Sequence, residues 1–170
     1  MTHYANLLHV VPSAQQLLLY RGGNLTRSYR IATSRYGLGE QSNSYKTPCG
    51  WHVIRAKIGA RCALNAVFVS RRPTGEIYSA ELAQQYPSRD WILSRILWLS
   101  GLEKGKNRLG EVDTMRRYIY IHGTPDDQLL SGEPSSHGCI RMSSLDIIEL
   151  FGLVDIGNKI FIGENLSAEK

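Results

Sequence analysis

A mainly β, single-domain fold of the sandwich or partly closed barrel type, with one or two short helices, is what this sequence predicts. Three observations predict it. Short apolar or alternating runs recur along the first two-thirds of the chain. Turn residues punctuate them, first Pro12-Ser13 and then Arg21-Gly22-Gly23-Asn24. Helical spacing is confined to one or two segments. With 170 residues, 42% hydrophobic and 21% charged, the chain fits one compact domain over residues 1–170. A domain of about 150 residues buries roughly 70% of its unfolded surface and needs no staples to fold.

Taken in order, Leu7 to Val11, Gln16 to Tyr20 and Leu25 to Thr33 read as the opening strands. Gly-Gly-Asn between the second and third is a hairpin signal. Ser34 to Lys46 turns polar and reads as a loop. Gly50 to Ile58 and Ala66 to Ser70 follow as strands, with Trp51 and Val53, then Val67 and Val69, alternating. Ser88 to Ser100 reads as the best helix. Ser88 suits an N-cap, Asp90 suits the positive end, and Ile92, Ile96 and Leu99 share a face ahead of Gly101. Glu103 to Gly110 is a polar loop and the candidate for a lid. Tyr118 to Ile121 is a strand in which one alternating pair faces the core. A second helix starts at Ser143 or Ser144 and covers Leu145 to Phe151, with Asp146 in its first turn. A last strand, Lys159 to Ile162, closes the sheet. No internal repeat or linker interrupts the chain.

The net charge is +5, enough to steer an anionic substrate but too little to dictate a partner. Arg71-Arg72 and Arg116-Arg117 are only pairs, and no nucleic-acid motif accompanies them, so a nucleic-acid partner is not expected. No stretch approaches the roughly 20 apolar residues of a membrane helix. The three cysteines, Cys49, Cys62 and Cys139, form an odd, sparse set that suits a reducing compartment. The segment Met1 to Asn6 lacks the basic region of a signal peptide. Together these lead to a cytoplasmic expectation; a periplasmic protein whose leader has been removed would read the same. Oligomeric state is not legible.

The chemistry concentrates in Ile121-His122-Gly123-Thr124-Pro125 and Ser135-Ser136-His137-Gly138-Cys139-Ile140-Arg141-Met142. His122 sits just past the end of a strand, and a rigid strand aims a side chain better than a free loop does. A thiol is mostly protonated at neutral pH, and a neighbouring imidazole can take its proton. Attack on an amide carbonyl then makes an oxyanion, which backbone N–H groups around Gly138 and Cys139 can stabilise. The residues alone leave other readings open. A lone cysteine is more often inert core than nucleophile, which is the reading for Cys49 and Cys62. His122, His137 and Cys139 are also legal zinc ligands, although His-Gly-Cys is not a usual structural zinc spacing. His3, His9 and His52 read as satisfied structural histidines, and Asp126 and Asp127 as solvated turn residues.

Ser136-His137-Gly138-Cys139, preceded by Ile121-His122-Gly123, resembles the signature of the YkuD-type L,D-transpeptidase catalytic domain. Thr47-Pro48-Cys49-Gly50-Trp51 resembles that family's Thr-Pro-x-Gly-aromatic turn, and the likeness runs from about residue 6 to residue 163. The resemblance implies a β-rich sandwich-like fold and a cysteine enzyme acting on peptidoglycan tetrapeptide stems. Such an enzyme cleaves the bond between an L-centred diamino acid and D-Ala through an acyl-enzyme, without metal or organic cofactor. It further implies Cys139 as nucleophile, His122 as base, and the Gly123 carbonyl as the group that orients the His122 ring. His137, Gly138 and Cys139 would surround the oxyanion, Ser136 would shape the turn, and Arg141 could bind a substrate carboxylate. Some members have Asn after the cysteine; Ile140-Arg141-Met142 here resembles a Gram-negative variant. The implied activity is an L,D-carboxypeptidase that trims muropeptides in recycling. A periplasmic L,D-transpeptidase and a non-catalytic muropeptide-binding module are the alternatives. Activity is expected to fall on the acid side as the Cys–His pair takes up a further proton.

Overall fold

The structure, a computed structural model, describes residues 6–129 and 131–166. His3 lies outside the described residues. Where sequence alternation is clean, strands form as expected: β1 (Asn6–Val11), β2 (Gln16–Arg21) and β3 (Asn24–Ala32). Gly22 and Gly23 form the two-residue turn between β2 and β3, both with positive φ (55° and 82°). That is the backbone a tight hairpin needs and that glycine adopts without strain. β4 (Gly50–Ile58), β5 (Ala66–Val69) and β6 (Arg72–Ile77) come next, then a short helix, α1 (Ala80–Gln85), capped by the Ser79 side chain.

The segment expected as the best helix is instead a strand, β7 (Ile92–Gly101). Two physical features misled the periodicity. β7 is buried on both faces along most of its length, so it reads as a nearly continuous apolar run. It also slips register between Leu93 and Ile96, where Ser94 has a φ of 70°. A bulge of that kind breaks the two-residue alternation and leaves spacings that imitate a helix.

β8 (Tyr120–Thr124), β9 (Ile140–Ser143), α2 (Ser144–Leu153) and β10 (Lys159–Ile162) complete the described chain. α2 matches its expected span. Ser143 caps it by accepting a hydrogen bond from the Asp146 N–H at 3.0 Å. The strands run in the order β4-β10-β1-β2-β3-β9-β8-β7, and β7 pairs back onto β4. The sheet therefore closes into a barrel-like sandwich, with the β5–β6 hairpin attached to the remaining length of the β7 edge.

The main core lies inside. Leu8, Leu17, Leu19, Ile31, Ile54 and Leu97 meet Ile147 and Leu150 of α2 there. Ile119, Ile121, Ile140 and Met142 also face inward, so Tyr118 and Tyr120 are the pair that faces out. A smaller apolar cluster, including Phe68, Ile96 and Tyr120, lies outside β7 and β8, with Cys139 packed against it.

The Glu103 to Gly110 loop is strapped down rather than poised as a lid. The Asn107 amide donates to the carbonyls of Cys49 (2.9 Å) and Trp51 (3.0 Å), and Glu103 accepts the Trp51 N–H at 2.7 Å. No helix among the described residues is long and apolar enough to cross a membrane.

Candidate active site

β8 and β9 run parallel with Ile121 beside Ile140 and His122 beside Arg141. Strand alternation then places Tyr120, His122, Cys139 and Arg141 on the outer face, with Cys139 and His122 as diagonal neighbours.

His122 is 1% exposed. Its Nδ1 lies 2.7 Å from the Gly123 carbonyl oxygen. A carbonyl only accepts, so Nδ1 carries the proton and Nε2 keeps its lone pair. Gly123 must be glycine for packing reasons, because a Cβ there would sit 2.4 Å from the Leu93 carbonyl oxygen across the β7–β8 ladder. Burial pushes the imidazole down to about 4; the Gly123 bond and Asp90 raise it against that, and Arg141 lowers it further.

Cys139 is partly exposed and stands just before β9. Its Sγ accepts from the Tyr120 N–H and donates to the Tyr118 carbonyl, each at 3.4 Å. Burial pushes the thiol up to about 11, while the Tyr120 N–H, Arg141 and Arg117 favour the thiolate. Tyr118, whose carbonyl meets the sulfur, has a φ of 56°. That conformation is unusual for a non-glycine residue, and such strain collects at functional sites.

The turn before Cys139 is fixed from two sides. Ser136, fully buried, donates to the Cys139 carbonyl (2.5 Å) and accepts from the Gly138 N–H (3.2 Å). Thr47 donates to the Gly138 carbonyl (2.9 Å) and accepts from the Ser34 N–H (3.0 Å). The Thr47-Pro48 turn thus clamps the cysteine turn from ninety-one residues away. Gly138 has a φ of 126°, and a Cβ on it would lie 3.2 Å from Ile119 Cδ1. Its N–H is already engaged by Ser136, which differs from the expectation that it faces an oxyanion. What Gly138 supplies is the backbone bend.

The other expected residues are close by but differently employed. His137 is exposed and lies against Tyr36 and Tyr45, with ring centroids 6.0 and 6.4 Å apart. Arg141, expected to face a substrate carboxylate, is 5% exposed and pairs with Asp90 at 2.6 Å. It also donates to Gln128 at 3.0 Å. Asp126 and Asp127 are exposed in a 3-10 turn. His9 bonds the Gly163 carbonyl (2.8 Å), and His52 bonds Gly50 and Thr114 (both 3.0 Å), so both are satisfied inside the structure. Cys49 and Cys62 are free thiols, Cys62 packing against the same apolar cluster as Cys139, and among the described residues no three His, Cys, Asp or Glu side chains converge as a metal site.

Sequence reasoning missed what Thr47, Asp90 and Arg117 do at the site. Arg117 ties down the Ser34 to Lys46 loop through the carbonyls of Gly39, Glu40 and Lys46. Thr47 had a local signal in its Thr-Pro turn; Asp90 had none that separated it from a helix cap.

A family model described as the L,D-transpeptidase catalytic domain (YkuD) matches residues 5–162. L,D-transpeptidase 3 from Mycobacterium tuberculosis, solved in complex with a faropenem-derived adduct, superposes with a TM-score of 0.57 at 18% identity. The superposition covers 94% of this chain and 60% of that one. An L,D-transpeptidase from Mycobacterium smegmatis superposes with a TM-score of 0.54 at 17% identity, over 93% and 58% of the two chains. At these identities the likeness is one of fold. Branched-chain-amino-acid aminotransferase 2 of Bacillus subtilis (strain 168) is 26% identical over 172 residues, covering 94% of this chain and 45% of that protein. The chain thus spans about half the length of the proteins it matches. A thiol beside an imidazole is the equipment of acyl transfer, not of amino-group transfer.

Proposed function

The chain belongs to the L,D-transpeptidase catalytic domain family, and from that premise we propose that it is a cysteine acyl-transfer enzyme acting on peptidoglycan tetrapeptide stems, working as an L,D-carboxypeptidase. The observation that carries the reading is the His122–Gly123 bond, which leaves Nε2 as a base on the same face as the Cys139 thiol.

In this mechanism, Nε2 takes the thiol proton as Sγ attacks the carbonyl between the diamino acid and D-Ala. The C–N bond then breaks, His122 gives that proton to the leaving amine, and a thioester remains on Cys139. Water attacks the thioester, its proton passes to His122, and the sulfur leaves and is reprotonated. The product is a stem tripeptide with a free carboxylate. Backbone donors of the 136–139 turn other than the Gly138 N–H would meet the oxyanion, and one such donor contributes about 2.7–4 kcal/mol in the transition state. Ser136 holds the turn in shape for them. Partial exposure of Cys139 leaves the thioester within reach of water. The compartment we propose is the cytoplasm, where recycled muropeptides would be the substrate; three free thiols accord with a reducing setting.

Mass spectrometry of the protein incubated with a disaccharide-tetrapeptide, with and without an added D-amino acid and beside Cys139→Ala, tests this. Loss of D-Ala to water, absent in Cys139→Ala, is expected. Cross-linked dimer or D-amino-acid exchange as the main product would replace the reading with a transpeptidase. No turnover by the wild type would end the enzyme reading altogether.

A further inference from the structure

β7 carries two residues that have no counterpart on β8. Leu93 pairs with Gly123 and Ile96 with His122, so Ser94 and Arg95 are inserted beside the His122–Gly123 step. Bulges gather next to active sites, where they re-aim a neighbouring side chain. Among the described residues, Ser94 is the one non-glycine residue inside a strand with a positive φ, at 70°. Strain of that kind persists only where the surroundings fix it. Here they do. Buried Arg95 donates to the carbonyls of Ser94 (2.6 Å) and Cys62 (2.8 Å). The Ser94 hydroxyl, fully buried, accepts the Asn65 N–H at 2.9 Å. It donates at 2.8 Å to the hydroxyl of Ser144, the first residue of α2.

This hydroxyl bridge meets the site at Gly123. A Cβ on Gly123 would lie 2.4 Å from the Leu93 carbonyl oxygen and 3.1 Å from the Ser144 hydroxyl oxygen. Gly123 is thus wedged between the residue that precedes the bulge and the far end of the bridge. Its carbonyl in turn accepts from His122 Nδ1 at 2.7 Å, the bond that leaves Nε2 with its lone pair. We infer that Ser94 and Ser144 are positioning residues, whose bridge holds the Gly123 peptide at the angle that fixes the His122 tautomer. Without the bridge the peptide is free to rotate and its carbonyl leaves Nδ1. The Nε2–H tautomer, which has no lone pair for the thiol proton, is then populated. The inference rests on the reading of His122 as the base of the reaction proposed above.

Two-bond nitrogen–proton NMR correlations of isotopically labelled histidines read the tautomer in the free protein, with the His122 signals assigned by their loss in His122→Gln. The wild type should show the Nδ1–H form alone. Ser94→Ala and Ser144→Ala should each bring in the Nε2–H form, and lower kcat on a tetrapeptide stem at least about tenfold with KM changed less than about twofold. Ser144 stands in helical backbone, so Ser144→Ala answers even should Ser94→Ala fail to fold. The double variant should lose little more than either single one, because both remove the same bridge. Ser144→Thr, which keeps the hydroxyl, should retain the wild-type tautomer and keep kcat within about threefold of it. Three results would each overturn the inference: the Nδ1–H form alone in the alanine variants, a changed tautomer with kcat preserved, or a Ser144→Thr protein that behaves like Ser144→Ala. Failure of the wild type to release D-alanine refutes the hydrolytic reading, and the tautomer spectra judge the bridge separately.

Discussion

At the scale of single residues, Cys139 and His122 are poised as a neutral pair by burial. The imidazole pushed down to about 4 and the thiol pushed up to about 11 bracket a range in which the pair holds one proton, whichever atom carries it. Adding a second proton near pH 4 silences the base, and removing the last near pH 11 leaves nothing to give the leaving amine. The acid-side fall in kcat/KM expected from the sequence is therefore placed near pH 4, well below the 6.5 of an ordinary imidazole. A pH–rate profile with its acid limb at pH 6–7 would show that His122 is solvated during catalysis, against its 1% exposure. The catalytic candidates were legible because Ser-His-Gly-Cys is contiguous and its upstream histidine adjoins a strong β run, although the structure sets it within β8 and not at the strand's end. The tasks of Thr47 and Asp90 were not, although Thr47 stood in a recognised turn, because they depend on partners ninety-one and fifty-one residues away.

At the scale of elements, α2 and β7 teach opposite lessons. α2 announces itself through neighbours: Ser143 caps the Asp146 N–H three residues on, and Ile147 and Leu150 fall on one buried face. Ser143→Ala is expected to lower stability by about 1 kcal/mol. That would appear as a lower urea midpoint with an unchanged slope; an unchanged midpoint would mean the cap is dispensable. β7 hid its nature because its bulge and two-sided burial depend on β4, β5 and β8, all of which lie outside the segment itself. β6 escaped notice because Pro73 and Gly75 are poor strand formers, tolerated here on the outermost strand of the order. β9 is four residues long and sits inside the motif, too short for any period to register.

At the scale of the whole molecule, closure of the barrel depends on β4, which pairs with both β10 and β7. His52 sits at that seam, paired in register with Ile160 on one side and Gly101 on the other, and is fully buried. Burial pushes it down to about 4. The unfolded chain takes up this proton near pH 6.5 while the folded chain refuses it until about 4. His52 therefore leaves stability intact above pH 6.5 and removes it as the pH falls toward 4, by at most about 3 kcal/mol. His122 acts in the same direction. Thermal melts from pH 7 down to 4.5 should show a steady loss of Tm, and a flat series would mean that these imidazoles are protonated within the fold.

β1 and β10 lie side by side and parallel, Leu7 against Lys159 and Val10 against Ile162. The chain entering β1 and the chain leaving β10 therefore emerge at opposite ends of the barrel. Tension applied along these two flanks would slide one strand past the other, so their shared hydrogen bonds carry the load together. The β5–β6 hairpin is the contrasting case: pulled at Ala66 and Ile77, which face each other at its open end, it would peel one pair at a time. In an optical trap, handles flanking β1 and β10 should give a single rupture at distinctly higher force than handles at Ala66 and Ile77. Equal forces would show that the parallel pair bears no special load. The barrel is then expected to resist traction along its first and last strands better than the β5–β6 hairpin resists being opened.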